Sequence, residues 1–430
     1  MDTSLNNRSI IKSWCLYDWA NSVYNLTITT AIFPSYFQAV TQNTFTDNIP
    51  FLGFTVTQDS LFSFILSIAF GVIVILNLIL AGVSDVFGNK KLFLKIFSTL
   101  GAVSCSLLYF FDKNHFWFGA NMFMLATIGY AGSLVYYNSY LPLIASPRLQ
   151  DKVSALGFSY GYVGSVIMLI INLIVILGKD LIGIDEGLAC KISFLMVGIW
   201  WFVFATYSFS KLPDNKVENS QKINLKILSK GILDIKHTYS ILSKEKRVFK
   251  FLVSFFFYSA GIQTVMYLAT IFGKVELKLE QAQLIPIILI IQLIAIVGAS
   301  FMSKATLKWG NLKVLLFCCF FWIAICVGAY FTVNFIQFCL LAVVVGFMMG
   351  GIQSLSRSTF SKMLPEQCKN ASSFSFYEFI EKLSIVLGTF SFGIISMITG
   401  GLRQSIFALV IYFVISIILL VNTLYIKKKV

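Results

Sequence analysis

Charge is scarce in this chain: Asp, Glu, Lys and Arg together make up 12% of 430 residues. A water-soluble domain carries about twice that share, so a soluble enzyme is not the reading of the whole chain. Histidine is almost missing, with His115 and His237 alone. The eight cysteines show no metal-ligand spacing and sit mostly inside apolar runs, where they read as small buried side chains. No Walker loop, zinc motif, nucleophile elbow or dinucleotide fingerprint occurs, which removes support for ATP-driven pumping and for soluble-type catalysis. Neither a catalytic residue, a metal nor a cofactor is expected.

What the chain has is apolar surface: 57% hydrophobic residues, 43 of them Phe, and a mean hydropathy of +0.82. This surplus falls into stretches of about 20 residues, the length that crosses about 30 Å of hydrocarbon as helix. The segmentation predicts an all-α, multi-pass integral membrane protein. Its spans lie near 14–39, 61–83, 92–111, 116–143, 153–177, 188–209, 249–273, 283–303, 313–331, 335–356, 373–398 and 402–426. The polar start, Asp2 to Lys12, leads into a full span and predicts no cleaved signal.

The net charge of +14 is spread over alternate loops, not gathered in one stripe, which argues against a nucleic-acid partner. Lys382 apart, one set of alternate segments holds 26 Lys and Arg and the opposite set holds 6. The positive-inside rule then places the rich set, with both termini, in the cytoplasm. The longest loop, 211–248, carries nine basic residues, with Lys250 just beyond it, and divides the chain into an amino-terminal bundle (1–210) and a carboxy-terminal bundle (249–430) of six spans each. Inside it Leu225, Leu228, Ile232, Ile235, Tyr239 and Leu242 recur at spacings of three and four, which predicts an amphipathic helix against anionic lipid headgroups. A disordered basic tether is the alternative. The halves also repeat each other faintly: span four leaves through Tyr140-Leu141-Pro142 and span ten through Met363-Leu364-Pro365, and Ser154 in one half and Ser372 and Ser373 in the other open the next span.

After the second span stands Ala81-Gly82-Val83-Ser84-Asp85-Val86-Phe87-Gly88-Asn89-Lys90-Lys91. Gly88 permits a tight turn, Asp85 can cap the next element or pair with a base, and Lys90 and Lys91 are expected at the headgroups. An ordinary charged turn would read the same. This stretch resembles the cytoplasmic signature of the major facilitator superfamily. Its counterpart, Ser303 to Gly310, keeps the glycine and the bases but has Leu307 where an acid would fall, so any gate latch should be asymmetric.

A second resemblance is sharper. Trp14-Cys15-Leu16-Tyr17-Asp18-Trp19-Ala20-Asn21-Ser22-Val23-Tyr24, Thr29 to Phe37, Tyr137-Asn138-Ser139-Tyr140-Leu141-Pro142, Ser154 to Gly164 and Gly350 to Ser358 look like stretches of the autophagy-related vacuolar effluxer family. The resemblance implies a twelve-span major facilitator fold, small-molecule export, and a bacterial-type member in the inner membrane. Amino acids are the substrate class associated with the fungal members. Glu381 departs from the resembled pattern, since the family tends to have a small residue there.

A charge near the middle of a spanning helix costs about 2.5–3.5 kcal/mol, so one that persists borders a partner or a wet cavity. Asp18, Glu378, Glu381 and Lys382 are such charges, and we expect them to form one network with a carboxylate that carries a proton. Glu378 and Lys382 share a helix face, which should leave Glu381 the less compensated acid. Asp18 could instead lock against Arg357 or Lys382. The amides Asn21, Asn25, Asn138, Gln263, Gln292 and Gln353 can hydrogen-bond a polar solute or a neighbouring helix. Gly157, Gly161 and Gly164 give span five a small-residue face for close approach and sliding. The pattern points to a monomeric secondary transporter of a small polar solute, coupled to protons. Its rivals are a lipid or lysolipid translocator, suggested by the many Phe, and a membrane receptor or scaffold acting through the basic loop.

Overall fold

The computed structural model describes residues 5–45, 49–51, 54–56, 58–214, 225–399 and 401–426. The helical elements are α1 (Arg8–Val23), α2 (Phe33–Thr44), α3 (Gln58–Phe87), α4 (Lys90–Leu107), α5 (Phe116–Ser139), α6 (Leu141–Ile144), α7 (Gln150–Leu177) and α8 (Glu186–Lys211). They continue with α9 (Leu225–Lys244), α10 (Lys246–Glu276), α11 (Gln281–Trp309), α12 (Asn311–Phe331), α13 (Phe335–Met363), α14 (Ala371–Thr399), α15 (Leu402–Ala408) and α16 (Val410–Tyr425). One short antiparallel hairpin, Ile49–Phe51 with Phe54–Val56, is the β-structure among the described residues.

Among the described residues, eleven helical segments are long and apolar enough to cross a bilayer. The first helical run adds a twelfth, because α1 passes without a break through a π-helical stretch, Tyr24–Ile32, into α2. The cause is local. Pro34 has no N–H to continue the α-helical ladder, the Phe33 N–H reaches back five residues to the Ile28 carbonyl, and the Thr30 hydroxyl donates to the Asn25 carbonyl. In a bilayer such substitutions are required, since no water satisfies a freed backbone group. The short break between the third and fourth spans is also real: Asp112 accepts from the Asn114 and His115 amides and turns the chain.

Contacts gather the described chain into two compact units. One contains Arg8–Tyr137 and Val163–Gly231; the other contains Asn138–Tyr162 with the helices from Ile232 onward. In this grouping the end of span four and the start of span five go with the later helices. The physical reason is a polar face on α7, described below. Within the second unit α11 and α13 meet almost backbone to backbone: a Cβ at Gly350 would fall 2.0 Å from the Ala295 carbonyl oxygen, an approach only small residues permit.

Part of the linker forms a helix, α9, whose apolar stripe is divided between exposed and buried positions. Gly231, Thr238 and Leu242 are its buried residues, while Ile232 is 41% and Tyr239 57% exposed. A small residue allows the approach, since a Cβ at Gly231 would stand 2.7 Å from the Val83 nitrogen. Further along, Asp234 accepts from the Ser372 hydroxyl and the Tyr239 ring lies 5.9 Å from that of Phe376. Residues 215–224, including Lys216 and Lys222, the side chains of Leu225 and Leu228, and the terminal Lys427, Lys428 and Lys429 lie outside the described residues.

Candidate functional site

The second unit carries a continuous polar chain through apolar helices. Arg357 on α13, 3% exposed, donates from Nη1 to the Asn138 side-chain oxygen at 3.1 Å, and Asn138 on α5 donates from Nδ2 to Glu378 Oε1 at 2.8 Å. Glu378 on α14, also 3% exposed, faces Lys382 Nζ at 3.5 Å. Lys382 reaches Glu381 Oε2 at 3.3 Å, and Gln263 on α10 donates to Glu381 Oε1 at 3.0 Å. Asn138 can bridge a guanidinium and a carboxylate because an amide offers an acceptor and a donor at once. Glu378 and Lys382 meet because residues four apart share a helix face. Glu378 lies about 10 Å into α14 at 1.5 Å per residue, and Arg357 about 9 Å from the far end of α13. The relay therefore sits at one level, near the helix ends joined by the basic-rich loops.

Lys382 is shared by both acids, which corrects the expectation that Glu381 would be left over. Glu381 has a lysine and an amide donor, whereas Glu378 Oε2, shut from solvent, faces Lys382 Nζ at 3.5 Å but has no hydrogen-bond partner among the described residues. The expected four-residue network also divides. Glu378, Glu381 and Lys382 are joined in the second unit, while Asp18 belongs to the first, where it accepts from Tyr137 Oη at 2.9 Å and from Ser22 at 3.3 Å. Trp14 stacks on Tyr137 with centroids 4.4 Å apart and donates to its carbonyl, so the opening motif builds the wall that holds Asp18. Asn21 is buried with Nδ2 unpartnered, and Asn25 is exposed on the π-helical stretch. Gln292 Oε1 is likewise buried and unpartnered.

Arg357 fastens α13 to α7. Its Nε and Nη2 donate to the Ser154 hydroxyl and carbonyl, both at 2.9 Å, and the guanidinium stacks 4.2 Å over Phe158. Ser154 in turn donates to the Ser354 carbonyl at 2.7 Å, and Tyr162 donates to Gln353 at 2.8 Å. One turn earlier Asp151 accepts from Thr306 (2.8 Å), Asn311 (2.7 Å) and Lys362 (2.5 Å). Asp151, Ser154, Phe158 and Tyr162 follow one another at spacings of three and four and so share a face of α7. The sequence reading missed Asp151, Thr306, Asn311 and Lys362 as site residues; that periodicity was the available signal. Gly157 and Gly161 are buried on α7, and a Cβ at Gly164, which belongs with Trp19 to the first unit, would fall 2.7 Å from the Trp19 carbonyl.

In the Ala81–Lys91 loop Gly88 has φ +70°, the left-handed conformation that glycine suits, and Asn89 caps α4 by accepting from the Leu92 amide. Asp85 pairs with Lys90 at 3.6 Å. The headgroup role expected of Lys90 and Lys91 is corrected: both are buried, and Lys91 donates to the Leu212 carbonyl at 2.7 Å and pairs with Asp214 at 3.1 Å. A lysine with protein acceptors at that distance is not available to lipid.

Residues 6–429 match the model of the family described as vacuole effluxer Atg22 like. An uncharacterized MFS-type transporter, YxiO of Bacillus subtilis, is 29% identical over 422 residues, covering 95% of this chain and 93% of its own. Autophagy-related protein 22 of Saccharomyces cerevisiae is 24% identical, covering 86% and 78%. In fold the chain is similar to the human organic anion transporter MFSD10 (TM-score 0.72, 11% identity, covering 96% of this chain and 99% of that one). It is similar also to the E. coli fucose:proton symporter FucP (TM-score 0.67, 15% identity, 98% of each). The chain belongs to the vacuole effluxer Atg22-like family of the major facilitator superfamily.

Proposed function

We propose that this chain is a secondary transporter that exports a small polar solute, an amino acid or similar metabolite, by alternating access coupled to protons. The observation that carries the site reading is the buried relay from Arg357 through Asn138, Glu378 and Lys382 to Glu381 and Gln263. Two carboxylates share one lysine, and one carboxylate oxygen is left without a hydrogen bond. Such a site holds a proton or a solute ammonium more readily than it holds two bare charges. Glu378 is the group we assign to the proton. Asp18, Asn21 and Asn25 are assigned to the solute from the first helix, and Asn138, Gln263 and Gln353 from the second unit.

The two six-span halves, 1–210 and 249–430, would be the moving bodies, with Asp151, Ser154, Arg357 and Lys362 the contacts released in each cycle. The charge bias of the loops supports cytoplasmic termini, and the Bacillus relative supports a bacterial inner membrane. The exposed Ile232, Leu233 and Tyr239 of α9, beside exposed Lys236, suit an anionic leaflet. We assign the transporting unit as a monomer.

A counterflow screen of amino acids, peptides and organic acids in proteoliposomes tests this directly. Exchange of one class of small polar solute is expected. Movement of labelled lysolipid with no solute exchange would make the protein a lipid translocator, and solute binding without any movement would make it a receptor.

A further inference from the structure

A second polar site lies in the second unit, away from the relay. A cavity of about 860 Å³ opens where the end of α9 and the start of α10 face the α11–α12 turn and the end of α13. Five basic side chains line it, Lys244, Lys246, Arg247, Lys313 and Lys362, against two acids, Glu245 and Glu366. Glu366 is already paired with Lys369, and Lys362 is committed to Asp151 and Asn311. No ion pair among the described residues engages Lys244, Lys246, Arg247 or Lys313, and Arg247 Nε is shut from solvent with no hydrogen-bond partner.

Two helix N-termini open into the same space. Residues 245–248 begin α10 and residues 310–313 begin α12, and neither N-cap residue, Glu245 or Gly310, makes a side-chain capping bond. The first N–H groups of each helix have no carbonyl within their own helix to bond and carry the positive end of the helix dipole. Free cations, a buried unpartnered guanidinium nitrogen and two uncapped N-termini around one cavity are the elements of an anion site. The cavity is much larger than a single ion needs, and Leu424 and Ile426 give it an apolar border.

We propose that this cavity binds a phosphate-bearing anion, either the headgroup of an acidic phospholipid or a soluble phosphate. Its cationic side is built by Lys246, Arg247 and Lys313. This site is independent of the solute relay and does not rest on the transport reading. Because Lys362 borders both the cavity and Asp151, an occupant would compete with Asp151 for that lysine.

Trp309 lines the cavity and is half exposed, so it can report occupancy. The full chain in neutral detergent is titrated with inorganic phosphate, and in parallel with vesicles of phosphatidylcholine with or without phosphatidylglycerol. Trp309→Phe identifies the responding tryptophan. A saturable change with inorganic phosphate supports the soluble source, and a change only with phosphatidylglycerol supports the headgroup. In either case Lys246→Gln and Lys313→Gln each weaken binding at least tenfold, and added chloride salt weakens it further. The single substitutions lie at exposed lysines, so folding is retained and the comparison remains interpretable. No response to either probe, or the same response in both lysine variants, overturns the proposal.

Discussion

The loop after the second span and the loop after the eighth turn alike but satisfy their charges differently. Gly88 and Gly310 both take a positive φ, +70° and +75°. The first loop carries its own acid, Asp85, paired with Lys90 two residues beyond the turn. The second has Leu307 in the acid's place, and its Thr306 and Asn311 donate instead to Asp151 on α7, a helix of the first half of the sequence. One loop is therefore complete within its own surroundings, whereas the other is complete only while α7 is docked. The second loop thereby takes its carboxylate from another helix, and the first does not.

The comparison is broken most severely at Asp151. Asp151→Asn replaces one acceptor oxygen with an amide donor among three groups that donate to it and removes the charge opposite Lys362; we expect a loss of about 3 kcal/mol, read as a lowered melting temperature in detergent. A double-mutant cycle with Lys362→Ala should show coupling above about 0.5 kcal/mol, as contacting residues do. Asp85→Asn should cost less, about 1.5 kcal/mol, because Lys91 keeps Leu212 and Asp214. If the two losses were equal, the asymmetry described here would be wrong.

Restoring an acid to the second loop sharpens the point. Leu307 is 80% exposed, so an aspartate there faces away from the donors that Asp151 serves. Asp151→Asn combined with Leu307→Asp should be no more stable than Asp151→Asn alone. Recovery of the melting temperature would instead mean that the loop's own position was sufficient. Smallest should be Gly88→Ala, about 1 kcal/mol, since it forces a Cβ into a positive-φ turn.

The fold was legible because span length, loop charge and turn residues are local properties. Twelve hydrophobic runs, the Gly88 turn and the linker helix were all visible in the order of residues. Candidate charges were legible as outliers in apolar runs, which is how Glu378, Glu381 and Lys382 were found together. What could not be read was their sharing out: that Lys382 pairs with both acids, or that Asn138 stands between Arg357 and Glu378, 240 residues from the latter. Asp151 was hidden for a different reason. An acid in the first turn of a helix looks like ordinary dipole compensation, and its three donors come from α11, α12 and α13.

The most direct test of the central claim compares solute movement driven by a pH gradient with solute exchange at equal pH, for the native chain and for Glu378→Gln in proteoliposomes. Glutamine keeps the shape and can still accept from Asn138 but cannot carry a proton in exchange for charge. The account predicts that gradient-driven accumulation is lost while counterflow persists. Undiminished accumulation driven by the pH gradient in Glu378→Gln would contradict it.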